Sequence, residues 1–471
     1  MLKTIAIKNF KSFHDFKVNI KPITILLGKN SSGKSSFLQS LLLIKQTMES
    51  RDPDASLVPR GNYVDLGGYQ DFIYKHDVNN DIIIALTFKS ERYRLSPKYE
   101  FITVQFRYSY SAENNVTLLK EMKYFDKNDK LIFKGNAISD TSYDFSVKDI
   151  INGQKVEIIF YNIKIRKYRP WPWTRFRLIS PQKTKISSPK RLKFSREERE
   201  NLIEKNGGLI DRIIEMVVTE MENVAEKLIH IGPVREHPRR TYIPTGEVKR
   251  DVGLRGESAV EMLYSDKEGK PGRASESAKN VKRWLEKLDI AKDFRFPSLR
   301  EYVFFFWLKH PVTKVESSMA DHGFGLSQVL PLIVQGFYAP TGSILLLEQP
   351  EIHLHPRAQA DLTEMLVEIS KKRNVSIIAE THSEHIIERL QRLVAKDNSL
   401  LDRISVLLFR IGKKGARVTE LKFSEEGKRV NWPQKFIDGF LDGGLIDAFK
   451  QEKILMKKHI SNKDKVKGEK I

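Results

Sequence analysis
The segment Gly28-Lys29-Asn30-Ser31-Ser32-Gly33-Lys34-Ser35 constrains this chain more than any other feature. It satisfies G-x-x-x-x-G-K-[ST] at every fixed position. A continuous apolar run, Ile23–Leu27, precedes it, and the helical pattern Phe37–Met48 follows. That order asks for a buried strand, a tight glycine turn and a helix N-terminus in succession. The chemistry sets the residue types. Glycines let backbone N–H groups curl around phosphate oxygens at the positive end of a helix. Lys34 is expected to reach the β- and γ-phosphates of ATP, and the Ser35 hydroxyl to ligate Mg²⁺. Gly28, Asn30, Ser31, Ser32, Gly33, Lys34, Ser35 and Ser36 are therefore the candidate nucleotide-binding residues.

A site of this type needs an acid at the end of a neighbouring strand to hold Mg²⁺. Ile344–Leu347 reads as such a strand and ends in Glu348-Gln349-Pro350-Glu351, so Glu348 takes the metal role, where Asp is commoner. A further strand, Ser376–Glu380, leads into Thr381-His382-Ser383, which places His382 to sense the γ-phosphate or orient the attacking water. His353 and His355 lie two apart with no third ligand near, so they do not read as a metal site.

Around these motifs the texture changes several times. Residues 2–8 and Phe16–Ile20 read as strands joined by a turn over Asn9–Asp15. From about 80 to 166 the alternation is that of antiparallel strands, with Asn152-Gly153 as a hairpin signal. Ser195-Arg196-Glu197-Glu198 fits a capping box before a long helical pattern. An α/β texture returns near 298, with a strand around Tyr302–Leu308, helix Leu326–Gly336, strand Ser343–Leu347, helix Pro356–Lys371, strand Val375–Glu380 and helix Ser383–Arg392.

At 471 residues there is room for about three domains, or for one large domain with an insertion. Cysteine is absent, which excludes disulfides, zinc fingers and thiol catalysis. No signal peptide or spanning run of ~20 apolar residues is visible, so a cytoplasmic protein with no membrane partner is expected. The formal net charge of +21 makes a polyanion, DNA or another nucleic acid, the expected partner, against the alternative of a lysine-rich composition from an AT-rich genome. Residues 164–194 concentrate that charge without a single acid. Lys164, Arg166, Lys167, Arg169, Arg175 and Arg177 are interleaved there with Tyr168, Trp171, Trp173 and Phe176. Cations on phosphates with rings on bases is one reading; a solvated basic ribbon with core aromatics, or a protein-docking segment, is the other.

Taken together, the phosphate loop, Gly323-Phe324-Gly325-Leu326-Ser327-Gln328-Val329-Leu330-Pro331, LLLEQPEIHLHP and ETHSEH resemble the ABC-type ATPase heads of the RecF, SMC and OLD group. With IGPVREHPRRTY and the late segment NWPQKFIDGF, the chain is similar to bacterial anti-phage defence ATPases of the Septu type that carry a C-terminal domain of unknown function. The resemblance implies an α/β ABC-type P-loop head with a large β-rich and helical insertion and no long coiled coil. Its expected divisions are an N-terminal lobe over 1–75, a β-rich basic insertion over 76–195, a helical insertion over 196–299, a C-terminal lobe over 300–425 and an appendage with a basic tail over 426–471.

The resemblance also implies a homodimer, or a larger oligomer, with ATP and Mg²⁺ sandwiched between heads. Gly325, Leu326, Ser327 and Gln328 would touch the γ-phosphate bound by the other protomer, and His382 would be the switch histidine. Lys11 and Phe13 would lie near the adenine, and Gln70 would be the Mg-sensing glutamine. A separate effector such as a nuclease or toxin is expected, because no nuclease-like set of Glu and Asp-x-Asp stands out after His382. The runner-up is a RecF-like DNA-repair or loading ATPase, and the third reading a housekeeping ATPase without a nucleic-acid ligand.

One departure matters. Family members carry a water-activating Glu after the metal acid, and this chain has Gln349. An amide accepts no proton at neutral pH, so hydrolysis is expected to be slow, with Glu351 or His382 as the substitutes.

Overall fold
A computed structural model gives the fold over residues 2–50, 56–89, 100–113, 115–139, 142–151, 154–164, 184–187, 195–247, 249–268, 275–299 and 303–433. In chain order, β1 (Leu2–Phe10), β2 (Phe13–Asn19) and β3 (Ile23–Gly28) lead to helix α1 (Lys34–Glu49) and the single turn α2 (Tyr69–Phe72). A run of strands follows: β4 (Ile82–Lys89), β5 (Phe101–Ser111), β6 (Val116–Phe125), β7 (Leu131–Ser139), β8 (Ser142–Ile151), β9 (Gln154–Lys164) and β10 (Thr184–Ser187). Helix α3 (Arg196–Lys227) returns the chain to β11 (Leu228–Ile231), after which come α4 (Ala259–Glu268) and α5 (Glu276–Lys287). Five short strands are next: β12 (Asp293–Arg295), β13 (Ser298–Leu299), β14 (Val303–Phe304), β15 (Trp307–Lys309) and β16 (Glu316–Ser318). The last elements are α6 (Phe324–Tyr338), β17 (Ile344–Glu348), α7 (Pro356–Arg373), β18 (Ser376–Glu380), α8 (Glu384–Lys396), β19 (Ile404–Gly412) and β20 (Gly415–Leu421).

Two large sheets organise these elements. One has the order β11-β17-β18-β3-β19-β20; its first five strands are parallel and β20 closes the edge antiparallel. Because β3 lies between β18 and β19 with both faces covered, its residues are all buried and no polar alternation survives. Leu26 points into one core with Phe37, Leu38 and Leu41 of α1. Ile23, Ile25 and Leu27 point into the other, with residues of α6, α7 and α8. The second sheet is antiparallel, in the order β10-β9-β8-β7-β6-β5-β4-β1-β2. Thus β1 and β2 share one hydrogen-bonded sheet with the strands of 82–187, and β4 shows the strict in–out burial of a half-covered strand.

The α/β head with a β-rich and helical insertion is therefore what the chain forms. Helix α3 is the longest described helix, opened by the expected capping box, in which the Glu198 amide donates to Ser195 Oγ at 3.1 Å and the Ser195 amide to Glu198 Oε2 at 2.8 Å. Two local expectations change. The strand around Tyr302–Leu308 is divided into β14 and β15, which belong to different small sheets. The turn expected over Asn9–Asp15 shrinks to Lys11-Ser12, because Asn9 and Lys11 adopt left-handed backbone angles that reverse the chain tightly. Lys164 ends β9, and nothing is described of its side chain; Arg166, Lys167, Arg169, Arg175, Arg177 and residues 434–471 lie outside the described residues. Among the described residues no helix is long and apolar enough to cross a membrane.

One charge in α3 is at odds with its surroundings. Burial, reinforced by Glu215 one turn on, lifts the Asp211 carboxyl to about 6. An ordinary aspartate titrates near about 4, so between these values the native state binds the proton more tightly than the unfolded chain, and stability falls as pH rises through that window. Asp211→Asn is expected to raise the melting temperature at pH 7 and to leave it nearly unchanged at pH 4, read by thermal unfolding at the two pH values.

A candidate nucleotide site at the ends of three parallel strands
β17, β18 and β3 are consecutive in the parallel sheet, so their C-terminal ends open on one side. Open parallel sheets take ligands at that edge. A cavity of about 570 Å³ lies there. Asn30, Ser31, Gly33, Lys34, Ser35 and Ser36 form its floor, and Glu348, Gln349 and Glu380 one wall. Lys11, Ser12, Asp71, Ile73, Lys75 and His76 form a lip, and Pro233 completes the lining.

The phosphate loop owes its shape to two glycines. Gly28 has φ 145, and a Cβ there would lie 2.5 Å from the Phe409 carbonyl oxygen. Gly33 has φ 107, and a Cβ would meet the Phe13 ring at 2.9 Å. No L side chain fits either place without moving backbone or core. Gly33 also caps α1 and supplies no side-chain oxygen, so the first amides of that helix are left to a ligand. The Ser32 hydroxyl is buried without a hydrogen-bond partner.

Electrostatics centre on Lys34, only 3% exposed. Its ammonium donates to the carbonyls of Gly28 (2.9 Å) and Lys29 (3.0 Å) and lies 3.6 Å from Glu380 Oε1. The Ser35 hydroxyl donates to Glu380 Oε2 at 3.2 Å. Burial pulls Lys34 below its ordinary range, and Glu380 pushes back. Burial lifts the Glu380 carboxyl, Lys34 opposes, and Glu348 adds to the rise. Glu348 pairs with His230 across the β11–β17 boundary, Oε1 to Nε2 at 2.7 Å.

Arg235, 3% exposed, donates to the carbonyls of Glu348 (3.1 Å) and Gln349 (3.3 Å). Burial brings its guanidinium down to about 10 against the pull of Glu351 and Glu348. This clamp holds a strained turn, because Gln349 sits at φ 44 while its amide donates to the Glu380 carbonyl at 2.8 Å.

Other expected site residues fall elsewhere. Phe13 is buried among Phe16, Phe37 and Phe409, packs against Gly33 and does not line the cavity. Lys11 lines the cavity, its ammonium donating to Gln39 Oε1 at 2.8 Å. Gln70 is exposed on α2 and does not line the cavity; its neighbour Asp71 does. Glu351 is buried outside the cavity. Its Oε1 accepts from Thr381 Oγ1 (2.7 Å) and the His382 amide (2.9 Å), so it ties two loops together. His382 is exposed and also outside the lining; partial burial and then the charge of Lys34 hold its ring below the usual imidazole range. Gly325, Leu326, Ser327 and Gln328 form the first turn of α6, away from this cavity, and the last three are buried. Among the described residues no group of three or more His, Asp or Glu is arranged to hold a metal ion.

Three residues carry more of the site than the motifs suggest: Glu380, His230 and Arg235. Glu380 was visible as the last residue of its strand, in step with Glu348. His230 and Arg235 sit in LIHIGPVRE, where only the adjacency of β11 to β17 reveals them. The residues present fit a magnesium–nucleotide complex: an uncapped helix N-terminus, a buried lysine, a serine hydroxyl and the two strand-end carboxylates Glu348 and Glu380 face one cavity, with Asp71 on its lip.

The sequence profile of a family described as AAA ATPase domain matches residues 1–387. No curated protein matches the chain. Among solved structures it is similar to an SMC head bound to the C-winged helix domain of ScpA, at 11% identity and TM-score 0.41 over 90% of this chain and 98% of that one. It is also similar to the SMC head domain from Thermotoga maritima, at 10% identity and TM-score 0.38 over 89% and 99%. A third is the Smc head domain with an extended coiled coil bound to the C-terminal domain of ScpA from Pyrococcus furiosus, at 15% identity and TM-score 0.39 over 89% and 96%.

Removing the Arg235 clamp tests how the site is held. Arg235→Met would leave two part-buried carbonyls without these donors and Glu348 and Glu351 without the cation they share. A stability loss of about 3 kcal/mol is expected in denaturant unfolding, with Arg235→Lys falling between the variant and the parent because one ammonium replaces the two-armed contact.

Proposed function
The chain belongs to the AAA ATPase domain family, and from that premise we propose an ATP-held switch of anti-phage defence: a slowly hydrolysing head that dimerises on ATP, senses nucleic acid and controls a separate nuclease or toxin. The observation that carries the nucleotide part is the cavity in which Lys34 and Ser35 face Glu380 and Glu348 under the uncapped start of α1.

In this reading Lys34 and the amides of the loop bind the β- and γ-phosphates, and Ser35 and Glu348 hold Mg²⁺. Magnesium, when bound, neutralises charge developing on the transferred phosphoryl group. Gln349 lines the cavity and can orient a water through its amide, as glutamine does in some GTPases, but it removes no proton. Glu351 lies outside the cavity and uses Oε1 to tie down Thr381 and the His382 amide. Both points support slow turnover. Gly325–Gln328 do not line this chain's own cavity, and their use against nucleotide bound by a second protomer rests on the resemblance of the motif, since Leu326, Ser327 and Gln328 are buried here. The charge of +21 and the basic 164–194 stretch support a nucleic-acid ligand. The defence role rests on the resemblance of the motifs.

ATP turnover by the purified chain, with and without duplex DNA, checks the enzymology. A rate near background with ATP retained is expected, and no retention by Lys34→Ala. Gln349→Glu restores a proton acceptor and is expected to raise turnover by about a hundredfold. Brisk turnover lost in Glu351→Ala but not in Gln349→Ala would contradict the account, and fast DNA-stimulated turnover would favour a RecF-like repair ATPase. Expressed with its neighbouring genes, the chain is expected to reduce phage plating, and Lys34→Ala to abolish that protection.

A further inference from the structure
Glu348 and Glu380 are direct register partners at the ends of adjacent parallel strands, and both line the cavity. Their immediate partners differ. Glu348 is held by His230, whereas Glu380 places one oxygen 3.2 Å from the Ser35 hydroxyl and the other 3.6 Å from the Lys34 ammonium. The residue after Glu348 is a neutral amide, so the second carboxylate of this cavity stands on the neighbouring strand instead of the next residue.

We propose that Glu380 is the second metal-side carboxylate of the site and holds the divalent cation of bound nucleotide together with Ser35 and Glu348. The inference rests on the nucleotide reading above and deepens it. Its physical basis is compensation of charge. Glu380 is only 6% exposed, and a carboxylate so buried needs a counter-charge. Lys34 provides it here. Nucleotide phosphates draw the Lys34 ammonium to themselves, and Glu380 is then left against the phosphates' own negative charge. A divalent cation arriving with the nucleotide removes that conflict, since it meets the phosphates, the Ser35 hydroxyl and the two carboxylates together. Glu380 thereby makes nucleotide binding depend on the cation: it resists free nucleotide and favours the metal complex. Gln349 fits this arrangement, since a carboxylate next to Glu348 would add repulsion to a strand-end pair already in register.

The test is the affinity of the full chain for a fluorescent, non-hydrolysable ATP analogue, measured in EDTA and across a Mg²⁺ titration, with melting temperature recorded for each variant. The parent is expected to bind more tightly with Mg²⁺. In Glu380→Gln the metal-free affinity is expected to hold or rise, because Lys34 is released, while the gain conferred by Mg²⁺ falls roughly ten- to a hundredfold. Glu380→Asp keeps the charge and is expected to regain part of that gain; it also serves if the Gln variant fails to fold. A Glu380→Gln protein that keeps the full Mg²⁺ gain and loses only turnover would overturn the proposal and make Glu380 a proton acceptor. Loss of binding in EDTA and Mg²⁺ alike, with an unchanged melting temperature, would also overturn it, since Glu380 would then only shape the loop. A parent protein that binds no nucleotide under any condition would overturn the nucleotide reading itself.

Discussion
The contact between Lys34 and Glu380 is the interaction on which the rest of this site depends. Two buried, oppositely charged groups face each other, one at the start of α1 and the other at the end of β18. Neither is tolerable alone: the ammonium needs its two loop carbonyls and a carboxylate, and the carboxylate needs the lysine and the serine hydroxyl. Such a pair adds little net stability, because desolvation offsets most of the attraction. What it provides is a position. It holds the loop lysine over the cavity floor, ready to exchange one anionic partner for another.

That position is inherited from the parallel sheet. Register fixes Glu348 beside Glu380 and Glu380 beside Leu26, two residues before the first loop glycine. A slip by one residue would turn these carboxylates to the opposite face. The fully buried β3, packed against one core through Leu26 and another through Ile25 and Leu27, resists such a slip. Around this frame the helical insertion contributes more than bulk, since its return strand β11 brings His230 to Glu348 and leads to Arg235 under the Glu348-Gln349 turn. The turn between β1 and β2 and the segment before β4 contribute the lip, where Lys11 and Lys75 bring ammonium groups to the mouth of the cavity beside His76. Lys11, Lys75 and His76 all have φ near +50 to +60, and tight backbone of this kind is common where a loop is held for function.

Legibility in the sequence followed the reach of each signal. The phosphate loop, the acid-ended strand β17 and the α/β alternation of the last third were readable because each is local: glycines at fixed spacing, an apolar run and helical periodicity. The capping box at Ser195 was readable for the same reason. Glu380 was readable as a strand end but not as the register partner of Glu348, and His230 and Arg235 were not readable at all, because strand adjacency is something a spacing rule does not encode. The division of Tyr302–Leu308 into two strands was hidden too, since its aromatic residues suit either a long strand or two short ones. The core place of Phe13 was likewise not legible, since it depends on the absence of a side chain at Gly33, which makes room for its ring.

The central claim is that this cavity binds nucleotide through Lys34 and a cation through paired carboxylates on neighbouring strands. The most direct measurement is a crystal structure of the full chain with a non-hydrolysable ATP analogue and Mn²⁺, the cation located by its anomalous scattering. The account predicts the triphosphate against the loop, Lys34 moved off Glu380, and the Mn²⁺ peak within bonding reach of Ser35 with Glu348 and Glu380 around it. A cation coordinated by Ser35 and Glu348 while Glu380 still holds Lys34, or a nucleotide bound elsewhere on the chain, would contradict it.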